Sequence, residues 1–151
     1  MPFIIADPSK PAGHGQVTQA LVENVDMYPT LVELAGLPPV QQALEGYSAA
    51  PLLDNPGRPW KQGVLSQYAR CNLNASSGWY TRCSSVQRDK FQVMGYTLRT
   101  ARWRYVEWFP FNTTTLKPDM NTTIARELYD HLTDDGSNYD VSENGAMHWE
   151  K

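Results

Sequence analysis

Between Phe91 and Phe109 the chain carries two segments of alternating side chains, Phe91–Thr100 and Trp103–Phe109, with only two or three residues between them. Successive side chains of a strand point to opposite faces, so Met94, Tyr96 and Leu98 share one side. Trp103, Tyr105 and Glu107 repeat that spacing on the next strand, and the short link suits a tight antiparallel hairpin. A hairpin of this kind commits this part of the chain to an antiparallel sheet.

The clearest helix lies earlier. Asp26 is placed as an N-cap before Met27-Tyr28-Pro29-Thr30-Leu31-Val32-Glu33-Leu34-Ala35, and Pro29 falls in the first turn, where its missing N–H costs nothing. Tyr28, Leu31, Val32 and Ala35 sit at i, i+3, i+4 and i+7 and predict one apolar face. Gly36 is positioned to stop the helix, with Pro38-Pro39 beyond. Ser48 predicts the cap of a shorter helix over Ala49–Leu53. Phe3–Ala6 reads as a buried strand and Val17–Val25 as a further extended segment. Gly63–Ala69 is a strand, residues 70–89 a long polar excursion, and Glu127–Asp130 the close of the ordered part. Ser137–Glu143 is read as one further helical turn. The expected fold class is α+β: a small antiparallel sheet of about four strands with one or two packed helices, preceded by a strand and helix that belong to a larger α/β layer. The expected divisions are 1–40, a linker at 41–62, the sheet subdomain at 63–145 and a tail at 146–151.

Composition narrows the function classes. The net charge of -3 from 13 basic and 16 acidic residues argues against a nucleic-acid binder, which would carry a basic stripe. Arg99, Arg102 and Arg104, interleaved with Trp103 and Tyr105, are then solvated arginines of an amphipathic hairpin rather than a base-stacking surface. No run of 18 apolar residues is present to span a membrane as a helix. The opening Met1–Pro8 lacks the basic lead and long apolar stretch of a signal peptide. A core strand at the very start needs neighbours on both sides, so a preceding portion is expected. Cys71 and Cys83 lie close together, and three N-x-[ST] sequons begin at Asn74, Asn112 and Asn121. These features point to a lysosomal or extracellular setting, where Cys71 and Cys83 pair; free thiols are the alternative.

Several segments resemble the type I sulfatases, the formylglycine-dependent hydrolases of the alkaline-phosphatase superfamily. Val25-Asp26-Met27-Tyr28-Pro29-Thr30-Leu31 with Leu34-Ala35-Gly36-Leu37 is similar to their V-D-x-x-P-T-L-x-x-L-A-G-L helix. Leu44-Glu45-Gly46-Tyr47-Ser48 with Pro51-Leu52-Leu53 resembles L-x-G-x-S-x-x-P-L-L. Met94–Thr100 and Arg104-Tyr105 look like the hairpin of iduronate-2-sulfatase-like members, as does Ser66-Gln67-Tyr68. Glu127-Leu128-Tyr129-Asp130, followed by Asp134 and Asn138, resembles the family's closing segment, and Phe3-Ile4-Ile5 its last core strand. The resemblance runs to about Asp140 and covers the C-terminal part of such enzymes only.

It implies sulfuric ester hydrolysis on sulfated glycosaminoglycan-type sugars. The nucleophile of the family arises from a cysteine within C-x-[PAS]-x-R, and a calcium ion held by carboxylate oxygens supports the sulfate. Cys71 and Cys83 both lack an arginine four residues on, so no catalytic residue is expected in this chain. No metal site is expected either: the Asp134-Asp135-Gly136 run breaks the EF-hand pattern, with His131 first and Ser142 twelfth. His14, His131 and His148 lack ligand spacing. The expected partners are the catalytic portion of the same protein and a sulfated saccharide. Arg99 is the leading substrate candidate, because a guanidinium fork suits a carboxylate or sulfate; a structural bridge between subdomains is the other reading. Gln67, Tyr68 and Tyr96 are further candidates, set against core packing. A free-standing glycan-binding module anchored on Trp103 and Trp108 is the alternative function.

Overall fold

The computed structural model describes residues 3–39, 41–74, 79–83, 87–132, 140–141 and 147–148, with backbone alone at 72–74, 79–82, 140–141 and 147–148. The chain divides into two compact units, Met1–Val64 and Leu65–Lys151.

In the first unit, helix α1 spans Met27–Leu34 and α2 spans Ala50–Asp54. The end of α1 follows the sequence reading: Gly36 takes φ +63°, the Gly36 N–H donates to the Glu33 carbonyl at 3.0 Å, and the Leu37 N–H donates to Val32 at 3.0 Å. This pair of bonds satisfies carbonyls that a helix end leaves open, and it needs a residue that tolerates the left-handed region. The start differs. Asp26 holds the N-cap position of α1 but makes no side-chain cap bond; its side chain accepts from the Glu23 amide at 2.9 Å and from the Tyr47 amide at 2.8 Å. Lys61 Nζ adds bonds of 2.7 and 2.8 Å to the same carboxylate and one of 2.6 Å to Glu23. Three donors making four bonds to one carboxylate outcompete a capping bond. Helix α2 starts one residue later than the sequence reading places it: Ala49, not Ser48, is the N-cap, and Ser48 Oγ accepts from the Ala50 N–H from one position further back.

The predicted apolar face of α1 is not the buried one. Tyr28 is 53% exposed and Leu31 61%, whereas Asp26 is 0% and Thr30 2% exposed. Thr30 Oγ donates to the Asp26 carbonyl at 2.6 Å and accepts from the Ala49 N–H at 2.8 Å. Polar hydrogen bonding, rather than apolar periodicity, therefore sets which side of α1 faces Ala49, Ala50 and Leu52, the buried residues of this unit. Gly46 makes the approach feasible: a Cβ there would stand 2.0 Å from the Val25 carbonyl oxygen. Phe3–Ala6 is extended but joins no ladder, and most of Val17–Val25 is likewise unpaired before a 3-10 turn at Asn24–Asp26. A strand exists only through a neighbour's hydrogen bonds, and this unit supplies none to either segment.

The second unit is built on a six-stranded sheet in the order β2-β1-β3-β4-β5, with β6 also on β4. The strands are β1 Gly63–Asn74, β2 Trp79–Arg82, β3 Phe91–Thr100, β4 Trp103–Asn112, β5 Lys117–Pro118 and β6 Ala125–Asp130. Within the expected polar excursion at 70–89, residues 70–74 and 79–82 are strand: β1 runs on through Cys71, and β2 returns antiparallel with Arg70 opposite Arg82. The Cys71–Cys83 disulfide forms across this pair, with Cα atoms 5.4 Å apart and a sequence separation of 12. A cross-link of that span stabilises by about 3 kcal/mol through loss of denatured-chain entropy. The sheet has more strands than expected because β2 and the two-residue β5 carry no apolar alternation of their own. Val93, Met94, Val106 and Phe109 form the buried centre. The tail pairs Asp140–Val141 with Met147–His148, so those first two residues are extended rather than helical; the remainder of Ser137–Glu143 lies outside the described residues.

Burial pushes the Asp26 carboxyl up, but donation from Lys61, then from the Glu23 and Tyr47 amides, outweighs it and holds the group below the usual carboxylate range. Burial also lowers the Lys61 ammonium, yet its bonds to Asp26 and Glu23 lift it above the ordinary lysine value. The stability due to Asp26 is therefore present above the ordinary carboxylate pKa and fades as pH falls through the depressed value; that due to Lys61 fades only in strong alkali. Asp26→Asn is expected to lower unfolding free energy by about 2 kcal/mol at neutral pH, since it leaves the Lys61 ammonium with Glu23 as its one charged partner among the described residues. In urea titrations, the gap between parent and variant should shrink as pH falls below the ordinary carboxylate value of about 4 and through the depressed one. A gap independent of pH would assign the loss to packing instead.

Candidate functional site

Register decides which side chains share a face of the sheet. Gly95 pairs with Trp108, Thr97 with Val106 and Arg99 with Arg104. On the far side of β4, Arg104 pairs with Tyr129, Val106 with Glu127 and Trp108 with Ala125. Cross-strand partners project to the same side, so one face gathers Gly95, Thr97, Arg99, Arg104, Trp108, Glu127 and Tyr129. Met94, Tyr96, Leu98, Tyr105, Glu107 and Phe109 lie on the other.

The first face is polar and ordered from within. The Trp108 indole lies against Gly95, where a Cβ would meet ring carbons at 2.6 Å. Its Nε1–H donates to Glu127, whose other oxygen accepts from the Tyr129 hydroxyl. The Arg104 guanidinium stacks on the Tyr129 ring at 4.4 Å. Arg70 reaches from β1 over both the Trp108 ring, at 5.5 Å, and the Tyr68 ring, at 4.9 Å. Such stacking fixes cations without neutralising them. Arg99 Nη1 is buried and donates to no acceptor. Among the described residues of β3, β4 and β6, Glu127 is the carboxylate on this face, and two neutral donors already engage it. Among the described residues, Arg70, Arg99 and Arg104 bring guanidiniums to this face.

The opposite face is structural in character. Tyr96 packs on Phe109 with ring centroids 6.1 Å apart. Glu107 accepts from Thr123, Tyr105 and Arg126, and these bonds, that of Thr123 foremost, hold its carboxyl below the usual range. Arg102 forms a two-pronged pair with Asp130 at 2.9 and 2.7 Å and lies over Trp103. The sequence candidates are thus divided. Arg99 and Tyr96 stand on opposite faces of β3, Tyr68 lies beneath Arg70, and Gln67 is exposed on β1. The sequence reading missed Arg70 and Glu127; the spacing of Gly95 to Arg99 against Arg104 to Trp108 held the register that reveals Arg104.

The two cysteines are joined to each other, so neither offers a thiol. Among the described residues no three His, Cys, Asp or Glu side chains converge as metal ligands; Asp134 and Asp135 lie outside them. A cleft of about 510 Å³ in the first unit is lined by Phe3, Ile4, Ile5, Val17, Leu52 and Leu53 among others, with no titratable side chain. Asn112 and Asn121 are exposed, and Asn112 Oδ1 accepts from the Thr114 and Thr115 amides at 2.9 Å, leaving its amide nitrogen outward. The Asn74 side chain lies outside the described residues. No helix among the described residues is long and apolar enough to cross a membrane.

Residues 1–136 match the N-sulphoglucosamine sulphohydrolase C-terminal family. The mouse (Mus musculus) iduronate 2-sulfatase is 30% identical over 173 aligned positions, which cover 97% of this chain and 31% of that protein. The dog (Canis lupus familiaris) arylsulfatase K is 28% identical over 144 residues, covering 89% of this chain and 21% of its own. The chain therefore spans a fifth to a third of the length of these relatives. A solved 2-O GAG sulfatase superposes with a TM-score of 0.42 at 22% identity, covering 79% of this chain and 20% of that one.

Gly95→Ala is expected to destabilise by about 2 kcal/mol, because the added methyl overpacks against an indole that Glu127 holds in place. Near-ultraviolet circular dichroism should weaken with it. An unchanged tryptophan signal and unchanged stability would show that the indole is free to move.

Proposed function

The chain belongs to the N-sulphoglucosamine sulphohydrolase C-terminal family of sulfatases, and from that premise we propose that it is the C-terminal subdomain of a sulfuric ester hydrolase acting on sulfated, uronate-containing sugars. The groups that break the ester, and the calcium the family resemblance implies, belong in this reading to a part of the enzyme outside these residues. The observation that carries it is the family match along residues 1–136, in which the sulfatase-like motifs of the helix, the Gly46 loop and the hairpin each have a structural task. The iduronate 2-sulfatases among the relatives, mouse and human, support the uronate, since their name specifies one.

The disulfide and the two exposed sequons support a lysosomal or extracellular setting, with glycans at Asn112 and Asn121 and a third at Asn74. In this reading Arg99 is the candidate to meet the anionic sugar, with a structural bridge as the other role. Catalysis gains from cations fixed before the substrate arrives, and this face supplies them without a reactive group of its own.

The purified 151-residue chain, incubated with a 2-O-sulfated uronide and with an aryl sulfate, is expected to release sulfate no faster than a buffer blank. Release that tracks the chain through successive columns would overturn the assignment of catalysis to other residues.

A further inference from the structure

We infer that the open edge of β6 pairs with the same edge of a second copy of this chain, strand against antiparallel strand, about a twofold axis at Leu128. The inference draws on the backbone and side-chain order of one strand and is independent of the sulfatase reading.

Among the described residues β6 has one neighbour, β4. The His131 N–H donates to the Arg102 carbonyl at 2.7 Å, in step with that ladder. In an antiparallel pair, residues bonded to the neighbour alternate with residues whose N–H and C=O point away from it. Arg126, Leu128 and Asp130 therefore turn their backbone groups to the open edge. Such an edge is a template for another strand, and proteins commonly close it with proline, lysine or a very short strand. The two-residue β5, Lys117–Pro118, is closed in that way; β6, Ala125–Asp130, holds neither proline nor lysine. Leu128 in its middle is 64% exposed, and Ile124 and Leu132, just beyond its two ends, are also exposed.

A second copy is selected by the order of these side chains, which is complementary to its own reverse. With Leu128 opposite Leu128 of the second copy, Arg126 falls opposite Asp130, Asp130 opposite Arg126, and Ile124 opposite Leu132. Opposite charges directly across a ladder favour pairing. Arg126 keeps its bond to Glu107 and Asp130 its two from Arg102, so the match across the axis is one of sign and releases neither side chain. An axis at Arg126, Glu127 or Asp130 would set a like charge against itself, and one at Tyr129 would set Leu128 against Asp130. The axis at Leu128 avoids both. Each outward residue then exchanges its backbone bonds with a counterpart, and the contact, being the same patch on both copies, closes at two.

Sedimentation velocity of the 151-residue chain between about 10 µM and 1 mM is expected to show a dimer whose fraction rises with concentration, as a small contact requires. Leu128→Lys should raise the dissociation constant at least about tenfold, because it sets two ammonium groups against each other at the axis. Its thermal melt at a concentration where the parent is monomeric should match the parent's, since Leu128 is exposed in the monomer. Leu128→Cys under mild oxidation should give a disulfide-linked dimer, whereas Leu98→Cys, exposed on the same face but two strands from the edge, should not. A parent chain that stays monomeric throughout overturns the pairing and leaves the edge to a strand from another molecule. A dimer that Leu128→Lys leaves unchanged, or that Leu98→Cys links as readily as Leu128→Cys, overturns the β6 edge as the contact. Should Leu128→Lys melt early, the cross-link decides: a linked dimer at 128 supports the pairing and its absence overturns it.

Discussion

The first unit depends on one buried carboxylate. Asp26 has no exposed surface, and it accepts from two backbone amides and an ammonium that come from three separate stretches of chain. A buried charge is tolerable only when its lone pairs are filled, so the turn at Glu23, the loop at Tyr47 and the side chain of Lys61 must arrive together. Thr30 repeats the logic one helical turn on, joining the Asp26 carbonyl to the Ala49 amide. The two sulfatase-like motifs around Asp26 and Gly46 are therefore halves of one arrangement: the first supplies acceptors, the second supplies amides, and the missing Gly46 side chain lets them meet. Apolar burial around Ala50 and Leu52 is small by comparison, which is why polar bonds orient α1.

In the second unit the same division of labour recurs between backbone register and a few fixed side chains. β4 carries the sheet, with β3 along one edge and β5 and β6 in succession along the other. Trp108 occupies the space above Gly95, and Glu127 and Tyr129 hold the indole and the Arg104 stack in place. On the described part of this face, guanidiniums from β1 and β4 are held over the rings of Trp108 and Tyr129.

The hairpin, α1 and its Gly36 stop were legible in the sequence because each rests on local rules: alternation, a proline-compatible first turn, a glycine at positive φ. Strand β2 was not, since Trp79–Arg82 is fixed by pairing with Arg70–Asn74 and by the Cys71–Cys83 link rather than by its own pattern. The buried side of α1 escaped for a different reason. Tyr28 and Leu31 dominate any count of apolar periodicity, yet the bonds of Asp26 and Thr30 determine orientation within this unit. Phe3–Ala6 looks like a strand by composition and remains unpaired, because pairing is a property of two segments. At the candidate site, Arg99 was visible as a chemical type. Its company was not, since only register places Arg104 across from it and only tertiary stacking brings Arg70 near Trp108.

The position of β4 also fixes an order of assembly. Its union with β3 closes over the two residues between Thr100 and Trp103, whereas β6 must bring Ala125 to Trp108 and Asp130 to Trp103 across a far longer stretch. Chain entropy opposes the first closure less than the second, which favours forming the β3–β4 pair before β6 is added. The face that gathers Arg99, Arg104 and Tyr129 is thus completed in two stages, with its arginines aligned before the tyrosine that steadies one of them arrives.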